Sequence, residues 1–371
     1  MQKKQPITYS QVGDDYNTKD PIKKLAQTAA ASTAKHLKKT FNYDEIPGSH
    51  GESAFVWQVS ENTFMASVIE GLGTKNLIAD EMRKITGKTY YDIIAHDCVA
   101  TIINDLTTSG AKPLVLHAYW AIEDNSFLQD KKRMEDLIQG WKTACDKSGV
   151  AWGGGETPTL KGIIRPGTID LAGSAIGIIN PAKRRITADK IRPGDRIIFL
   201  KSNGINANGI SLARAISKKL PEGYATKLPS NTMFGQSLLT KTNIYANMIQ
   251  DLLDNEVDIH YISNITGHGL RKVMRALQNF VYIIEKVYPV PELFLFIQQH
   301  ANLLDKEMYK TYNMGQDYAI FVPTKDVEKT QNIISKNGFK SLNAGYIEKG
   351  GRQVIIKPKN IIFEGKTLDL R

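Results

Sequence analysis

Apolar runs with the two-residue period of strands alternate with stretches of helical period along nearly the whole chain. This alternation is typical of a mixed α/β protein, in which helices cover a sheet. Strands are expected at 63–69, 113–121, 169–179, 195–201, 280–285, 317–322, 342–347 and 352–357. Helices are expected at 76–86, 91–109, 209–219, 243–254, 269–278, 291–304 and 325–337, and across Met134, Leu137, Ile138, Trp141 and Cys145, which recur at helical spacing. Residues 221–235, rich in Pro, Ser, Thr and Gly, are expected to form a loop.

The 371 residues suffice for two domains, or three, at roughly 100–200 residues each. A break is predicted near 181–193, which gives an N-terminal domain of residues 1–180 and a C-terminal domain of residues 181–371. A basic cluster, Lys183 to Arg185, falls in this break, but no aromatic residue lies between 180 and 195 to stack on nucleic acid. The formal charge of +10 therefore favours a small anionic substrate over nucleic acid. A surplus of solvated surface lysine explains the charge equally well.

Two cysteines, Cys98 and Cys145, are too few for a disulfide framework or a four-cysteine zinc site. No apolar run approaches the ~18–20 residues of a membrane-spanning helix. The first residues, Met1 to Pro6, lead into polar sequence without the apolar core of a signal peptide. These features predict a cytoplasmic protein that does not enter a membrane.

The predicted helix 91–109 has an unusual polar face. At 100° per residue, Asp97, Thr101, Asn104 and Thr108 fall within about 60° of one another, and Asp105 lies beside them. An exposed face normally carries Lys, Glu or Arg, yet residues 92–109 contain none of these. The pattern predicts a cleft wall that holds a cation or a phosphate. The alternative is a helix packed against another domain, with its hydroxyls bonded to the backbone.

A glycine-containing turn, Glu70 to Lys75, lies between a predicted strand and a predicted helix. Gly71, Gly73 and Thr74 let backbone N–H groups approach an anion at the helix start, and Lys75, expected to be partly exposed, can neutralise phosphate. Glu70 supplies an oxygen ligand of the kind that magnesium prefers. The turn is not a P-loop, and a plain structural turn is the competing interpretation.

Three further loops carry polar groups beside glycines. Glu156 follows Gly153 to Gly155, so a carboxylate comes directly after a flexible turn, although a structural turn is equally consistent. Asn208, followed by Gly209, can bind a ligand or cap a helix. Thr266 and Gly267 precede His268, which is a possible acid–base group or a packing residue.

Taken in order, these motifs resemble the aminoimidazole ribonucleotide synthetase family, also called phosphoribosylformylglycinamidine cyclo-ligases. The matching motifs are Tyr9 with Gly13 and Asp15, Glu70 to Lys75, Asp97, Asn104 to Leu106, Gly110 to Leu114, Gly154 to Thr157, Asp170 to Gly173, Asn208 to Leu212, Ile265 to Gly267 and Met308 to Asn313. The similarity runs from residue 9 to about residue 357, which is too long and too ordered for chance.

The resemblance implies an α+β fold of two domains, an N-terminal sheet domain and a C-terminal α/β domain, in a homodimer whose N-terminal sheets meet. It implies ATP and Mg²⁺ as cofactors and a phosphorylated small-molecule substrate, with no nucleic-acid partner. The implied reaction activates formylglycinamidine ribonucleotide as an iminophosphate and closes its ring to aminoimidazole ribonucleotide in purine biosynthesis. The implied residues are Lys75, Asp97, Asn104 and Glu156 for catalysis, Gly71, Gly73, Thr74, Lys75, Asn208, Gly209, Thr266 and Gly267 for nucleotide, and Glu70, Asp97 and Asp105 for magnesium.

The chain departs from the family at several motif positions, among them the loop Gly48 to Glu52, which the family fills with a glycine-rich sequence, and Lys241, where it has Pro. Glu70 stands where the family has Asp, Asn206 where it has His, Asn243 where it has Arg, and His268 where it has Gly. These departures bear on substrate placement more than on ATP. His268 either restores the imidazole that Asn206 lacks or only fills space. Another ATP-dependent phosphoryl-transfer enzyme of the same superfamily, or a catalytically silent regulatory paralogue, remains an alternative function.

Overall fold

Two mixed β-sheets, one in each half of the chain, organise the fold. The structure is a computed structural model that describes residues 6–7, 13 and 16–368. Tyr9 and Asp15, two members of the predicted motif set, lie outside the described residues. Across the described chain, no helix has both the length and the apolar character needed to cross a bilayer.

The N-terminal half forms a six-stranded sheet covered on one face by helices. Its elements are α1 (Tyr16–Thr33), α2 (Lys35–Phe41), β1 (Asp44–Glu45), β2 (Phe55–Ser60), β3 (Thr63–Gly71), α3 (Asn76–Thr86), α4 (Tyr91–Thr107), β4 (Lys112–Ile122), α5 (Lys131–Ser148), β5 (Ala151–Glu156) and β6 (Ile169–Ile179). The strand order is β1-β2-β3-β6-β4-β5, and only the β4–β5 pair is parallel. Because α4 packs on β3 and β6 and α5 packs on α4, every second residue of β6 is buried.

The C-terminal half forms a seven-stranded sheet with its own helices. Its elements are β7 (Arg196–Lys201), α6 (Ile210–Ser217), α7 (Phe234–Leu238), α8 (Ala246–Asp254), β8 (Tyr261–Asn264), β9 (Phe280–Ile284), α9 (Glu292–Ala301), α10 (Asp305–Thr311), β10 (Gln316–Val322), α11 (Val327–Lys336), β11 (Ser341–Lys349), β12 (Gln353–Ile356) and β13 (Ile361–Glu364). The strand order is β13-β12-β9-β11-β7-β10-β8, and the β12–β9 pair is parallel. Residues 180–195 join the two sheets.

The expected α+β fold of two domains is confirmed, and each expected strand is present within a few residues of its predicted bounds. The exact division into residues 1–180 and 181–371 stays a prediction. The expected α-helix 269–278 is wrong, because a short 3-10 helix, Gly269–Met274, forms there. Gly269 has φ of +56° and lies against the Tyr309 carbonyl, so a side chain or a regular α-helix does not fit. The expected loop 221–235 also contains a 3-10 turn at Gly223–Ala225 and the start of α7.

Candidate functional site

The polar face of α4 lies against the C-terminal half of the chain. Its threonine hydroxyls bond within the helix: Thr101 donates to the Asp97 carbonyl at 2.9 Å and Thr108 to the Asp105 carbonyl at 2.8 Å. Asp97, Asn104 and Asp105 instead bond to residues of the C-terminal half. For the hydroxyls, the structure therefore matches the alternative interpretation of a helix packed against another domain.

Lys75 and Asp97, both of the N-terminal half, form a fully buried ion pair where the C-terminal half packs against α4. The Lys75 ammonium donates to Asp97 Oδ2 at 2.5 Å, to the Asn206 carbonyl at 2.9 Å and to the Thr240 carbonyl at 3.2 Å. Both side chains have no exposed surface. The expectation that Lys75 is partly exposed is wrong, because the C-terminal half covers its side chain and supplies two of the three acceptors of its ammonium.

A segment of the C-terminal half, residues 240–245, is held along α4; we call it the clamped segment. Thr242 N–H donates to Asp97 Oδ1 at 2.8 Å, and the His96 ring bonds to the Thr242 carbonyl at 2.8 Å. Asn104 binds the segment twice, donating to the Asn243 carbonyl at 2.8 Å and accepting from Tyr245 N–H at 3.0 Å. Asp97 thus holds Lys75 with one carboxylate oxygen and the clamped segment with the other, and both polar atoms of the Asn104 amide bind the clamped segment.

A second cluster of buried and half-buried polar side chains includes Glu70 at the end of β3 and Asp105 on α4. Asp105 Oδ1 accepts from Asn264 Nδ2 at 2.6 Å. Burial, and next the neighbouring Asp105 carboxylate, raise the pKa of Glu70 to about 7. Because Glu70 is half-buried beside a second carboxylate, its carboxyl group takes up a proton more readily than an exposed glutamate does.

Cations from the C-terminal half complete this group. Lys272, in the 3-10 helix Gly269–Met274, is 5% exposed and donates to Thr266 Oγ1 at 2.5 Å. Burial, and next Arg275, lower the pKa of Lys272 to about 8. Arg275 lies 3.3 Å from Glu52 Oε2, which also accepts from the Tyr261 hydroxyl at 2.9 Å. Sequence reasoning missed Lys272, Arg275, Asn264 and Glu52, because no local spacing marks them.

The glycine turn before α3 is open to solvent. Gly71 and Gly73 are exposed, and Gly73 adopts φ of +72° with open space where a side chain would lie. The first turn of α3, beginning at Asn76, follows directly. Leu72 N–H of this turn already donates to the Leu171 carbonyl at 2.8 Å, and binding of an anion by the remaining N–H groups stays a prediction.

The remaining predicted nucleotide residues occupy two loops of the C-terminal half. Gly209 has φ of +81°, and its missing side chain leaves room for the Tyr312 ring, whose hydroxyl donates to the Gly209 carbonyl at 3.2 Å. The neighbouring Asn208 is half-buried. In the second loop Thr266 accepts from Lys272, and Gly267 is buried.

The two departures Asn206 and His268 have different partners. Asn206 donates to Asp317 Oδ1 at 2.7 Å. His268 is buried and lies 3.5 Å from Asp20 Oδ2 of α1. Burial lowers the pKa of His268 from 6.5 to about 4. A compensating role of His268 for Asn206 stays a hypothesis, and the packing role agrees with this placement.

Glu156 does not lie near Glu70 and Asp105. Across the sheet, Glu70 of β3 lies opposite Gly173 of β6, and Gly173 lies opposite Ala118 of β4. Ala118 lies opposite Gly155 of β5, so the next residue, Glu156, is one position beyond this row and three strands away from Glu70. At about 4.8 Å between strands, the distance along the sheet is about 14 Å. Successive residues of a strand face opposite sides, so Glu156 shares the face opposite to Glu70.

The three predicted magnesium carboxylates do not form one group. Asp97 is engaged by Lys75 and Thr242, whereas Glu70 and Asp105 lie beside Lys272. Among residues 6–7, 13 and 16–368, no group of three or more His, Cys, Asp or Glu side chains is placed to hold a metal ion. The predicted ligand set therefore does not fit a resident ion in this arrangement.

A cavity of about 600 Å³ lies between the two halves of the chain, beside Glu52 and its partner Tyr261. Its lining includes Glu52, Thr108 at the end of α4, Arg185 of the segment 180–195 that joins the two sheets, and Tyr261 of β8. Apolar side chains such as Val56 form much of the remaining wall. The size and the few polar groups are typical of a small-molecule site.

Both halves of the chain match family models. Residues 51–179 match the AIR synthase related protein, N-terminal domain, and residues 192–357 match the AIR synthase related protein, C-terminal domain. Relatives named phosphoribosylformylglycinamidine cyclo-ligase span nearly the whole chain. The protein of Methanobrevibacter smithii is 34% identical over 88% of this chain and 91% of its own length. That of Carboxydothermus hydrogenoformans is 31% identical over 94% of this chain and 98% of its own.

Solved structures share the fold at low identity. Hydrogenase maturation protein HypE in complex with ATP superposes with a TM-score of 0.53 and 17% identity, over 70% of this chain and 75% of that chain. T. maritima PurL complexed with FGAR gives a TM-score of 0.58 and 15% identity, over 90% of this chain and 50% of that chain. At these identities the likeness concerns the fold alone.

Proposed function

This chain belongs to the AIR synthase related family, and we propose that it uses ATP to convert formylglycinamidine ribonucleotide to aminoimidazole ribonucleotide in purine biosynthesis. One observation carries the proposal: relatives bearing the cyclo-ligase name align with both domains of this chain over most of their own length. The proposed enzyme acts in the cytoplasm on a phosphorylated small molecule.

The proposed chemistry has two steps on one substrate. The γ-phosphoryl group of ATP is transferred to the formyl amide oxygen, and ADP leaves. An amidine nitrogen then attacks the formyl carbon and loses a proton, the bond from that carbon to the phosphorylated oxygen breaks, and phosphate leaves. Phosphoryl transfer depends on positioning and charge neutralisation, and ring closure depends on holding two groups of the substrate together.

We assign ATP phosphates to the exposed glycine turn. The open space beside Gly73 and the following first turn of α3 support this assignment. Thr74 completes the turn, while Asn208, Gly209, Thr266 and Gly267 are assigned to the nucleotide by the family resemblance alone. Magnesium enters as the complex with ATP, and no step here is assigned to a resident ion.

Lys75 reaches a phosphate only if the domains separate. Its three hydrogen bonds include two carbonyls of the C-terminal half, so release of Asn206 and Thr240 frees the ammonium. Asp97 and Asn104 are freed by the same movement, because both hold the clamped segment. The proposed catalytic roles of these three residues therefore require the clamped segment to leave α4.

The formylglycinamidine substrate is assigned to the cavity of about 600 Å³. Arg185 in its wall, which lies 3.8 Å from Asp189 of the same wall, is proposed to bind the substrate phosphate. Glu52 accepts from Tyr261 in the cavity wall and lies 3.3 Å from Arg275, which in turn attracts the Glu70 carboxylate.

A homodimer is proposed through the outer face of the N-terminal sheet. This face carries Ile69, 77% exposed, and Leu114, 51% exposed, with Tyr119 beside them. Ser174 and His117 lie opposite Ile69 across the sheet, so the face is mixed, but its large exposed apolar side chains are more typical of an interface than of a surface in water. A second copy of the chain offers the same face and would cover it symmetrically.

Incubation with formylglycinamidine ribonucleotide, ATP and magnesium, followed by mass spectrometry, tests the proposed activity. Aminoimidazole ribonucleotide is expected with one equivalent each of ADP and phosphate. Asp105→Asn should lower turnover at least tenfold, whereas Asp146→Asn, the same change at an exposed carboxylate paired with Lys142, should not. Binding of ATP without product in the wild type would instead favour the catalytically silent paralogue.

A further inference from the structure

We propose that Asp317 is a positioning residue that joins the loop of residues 202–209, which we call the β7–α6 loop, to the clamped segment, so that Lys75 and Asn104 are released in one movement. The inference rests on the proposed function only for the need to free Lys75 for ATP. Its test uses neither ATP nor substrate, so the two proposals can fail separately.

Asp317 is fixed within the C-terminal sheet. It belongs to β10, which lies between β7 and β8, and its carbonyl accepts from Ile265 N–H at 2.8 Å. The register of β10 against β7 shifts between Gln316 and Ala319, and such a bulge changes the direction in which side chains leave a strand. Asp317 is 2% exposed, so its carboxylate bonds to protein groups with little competition from water.

The two carboxylate oxygens of Asp317 bind different parts of the C-terminal half. Oδ1 accepts from Asn206 Nδ2 of the β7–α6 loop at 2.7 Å, and Oδ2 accepts from the Tyr245 hydroxyl of the clamped segment at 2.7 Å. A carboxylate has two acceptor oxygens and no donor, so it is suited to bind two donors at once. One buried side chain therefore connects both parts to the same strand.

Asn206 links Asp317 to Lys75. It adopts φ of +59°, a left-handed conformation that few residues other than Gly, Asn and Asp take. The bond to Asp317 fixes the Asn206 side chain in this conformation, in which the Asn206 carbonyl accepts from the Lys75 ammonium at 2.9 Å. Loss of that bond is therefore expected to loosen one acceptor of Lys75.

Tyr245 links Asp317 to Asn104. Its hydroxyl donates to Asp317, and its backbone N–H donates to Asn104 Oδ1 on α4 at 3.0 Å. Thr240, at the start of the same clamped segment, supplies the second C-terminal acceptor of Lys75 at 3.2 Å. Both parts that Asp317 binds thus hold Lys75, and one of them also holds Asn104.

A direct bond between the two parts lies in an exposed place. Asn203 Nδ2 donates to Asn243 Oδ1 at 2.7 Å, but Asn203 is exposed, so water competes for its amide. The two buried bonds to Asp317 are therefore expected to keep the β7–α6 loop and the clamped segment together.

Two rates measured by mass spectrometry test this assignment. The first is acetylation of Lys75 by an N-hydroxysuccinimide ester, which requires release of a side chain that has no exposed surface. The second is hydrogen–deuterium exchange in peptides that cover the clamped segment, where Thr242 and Tyr245 N–H groups are bonded to α4. Under the proposal, a change that loosens either part raises both rates.

Each part is loosened by its own variant. Tyr245→Phe removes the hydroxyl that binds Asp317 and keeps the ring, and it should raise both rates at least fivefold, the order expected for one lost hydrogen bond to a charged group. Asn206→Gly removes the other bond and tolerates φ of +59°, and it should raise both rates as well. Asp317→Ala removes both bonds and should have the largest effect. Asp317→Asn keeps an oxygen for Asn206 and should have a smaller effect than Asp317→Ala.

Two controls separate local release from a general loss of stability. Tyr282→Phe removes a buried tyrosine hydroxyl on β9 that has no hydrogen-bond partner within residues 6–7, 13 and 16–368, and it should leave both rates as in the wild type. Amides of β6, in the centre of the N-terminal sheet, should exchange in Tyr245→Phe and Asn206→Gly as they do in the wild type.

Three results would overturn the assignment. In the first, Tyr245→Phe accelerates only the clamped segment, or Asn206→Gly accelerates only the acetylation of Lys75, so the two parts move separately. In the second, both rates stay unchanged in a folded Asp317→Ala variant. In the third, the β6 amides accelerate by the same factor as the clamped segment, which means that Asp317 contributes to global stability alone.

Discussion

Replacing Lys75 by Met should destabilise the folded protein strongly. The ammonium is fully buried and bonds to Asp97, the Asn206 carbonyl and the Thr240 carbonyl. Its loss leaves a buried carboxylate without a cation and two carbonyls without a donor. Breaking a buried ion pair in this way costs about 3–5 kcal/mol of unfolding free energy. Urea unfolding, followed by circular dichroism, measures the change in the free energy of unfolding.

Two comparison variants isolate the cause of this loss. Lys142→Met breaks an exposed pair with Asp146 and should cost about 1 kcal/mol or less. Lys75→Met combined with Asp97→Asn removes both charges and keeps an oxygen for Thr242 N–H. The double variant should therefore be less destabilised than the sum of its single changes. A Lys75→Met variant as stable as Lys142→Met would refute the buried-pair argument.

Two further predictions follow from the burial of His268 and from the exposure of Ile69. The pKa of His268 is lowered from 6.5 to about 4 in the folded state, so the unfolded chain binds the proton first and stability should fall as pH drops from 6.5 to 4. His268→Asn should flatten this part of the profile of unfolding free energy against pH, and an unchanged slope would contradict the prediction. Ile69→Asp should convert the proposed dimer to a monomer in sedimentation velocity, whereas Ile163→Asp, equally exposed at 77%, should not. A persistent dimer in Ile69→Asp would exclude this sheet face as the interface.

The periodicity of apolar residues was enough to predict most of the fold. Strands such as β6 and β10 have residue patterns set by burial against neighbouring layers, and these patterns are visible locally. The 3-10 helix at Gly269–Met274 was mispredicted because its shape depends on close contact with the Tyr309 carbonyl. That contact joins residues distant in sequence, which local periodicity does not report.

For the candidate site, the sequence indicated that some polar residues share a helix face but gave no sign of their partners. The spacing of Asp97 and Asn104 correctly placed both on one face of α4. Their bonds go to residues 145 and 139 positions away, which no local pattern indicates. Lys75 was expected at a phosphate, yet its partner Asn206 lies 131 positions away in the other half. Lys272 carries no motif at all, and only the tertiary structure places it beside Glu70 and Asp105.

The fate of the formyl oxygen tests the proposed reaction most directly. Formylglycinamidine ribonucleotide labelled with ¹⁸O at the formyl group should be incubated with the protein and magnesium ATP, and the products analysed by mass spectrometry. If the amide oxygen accepts the phosphoryl group before ring closure, aminoimidazole ribonucleotide forms and the label appears in inorganic phosphate in equal amount. ATP hydrolysis without aminoimidazole ribonucleotide, or product formed with unlabelled phosphate, would contradict the proposed activity.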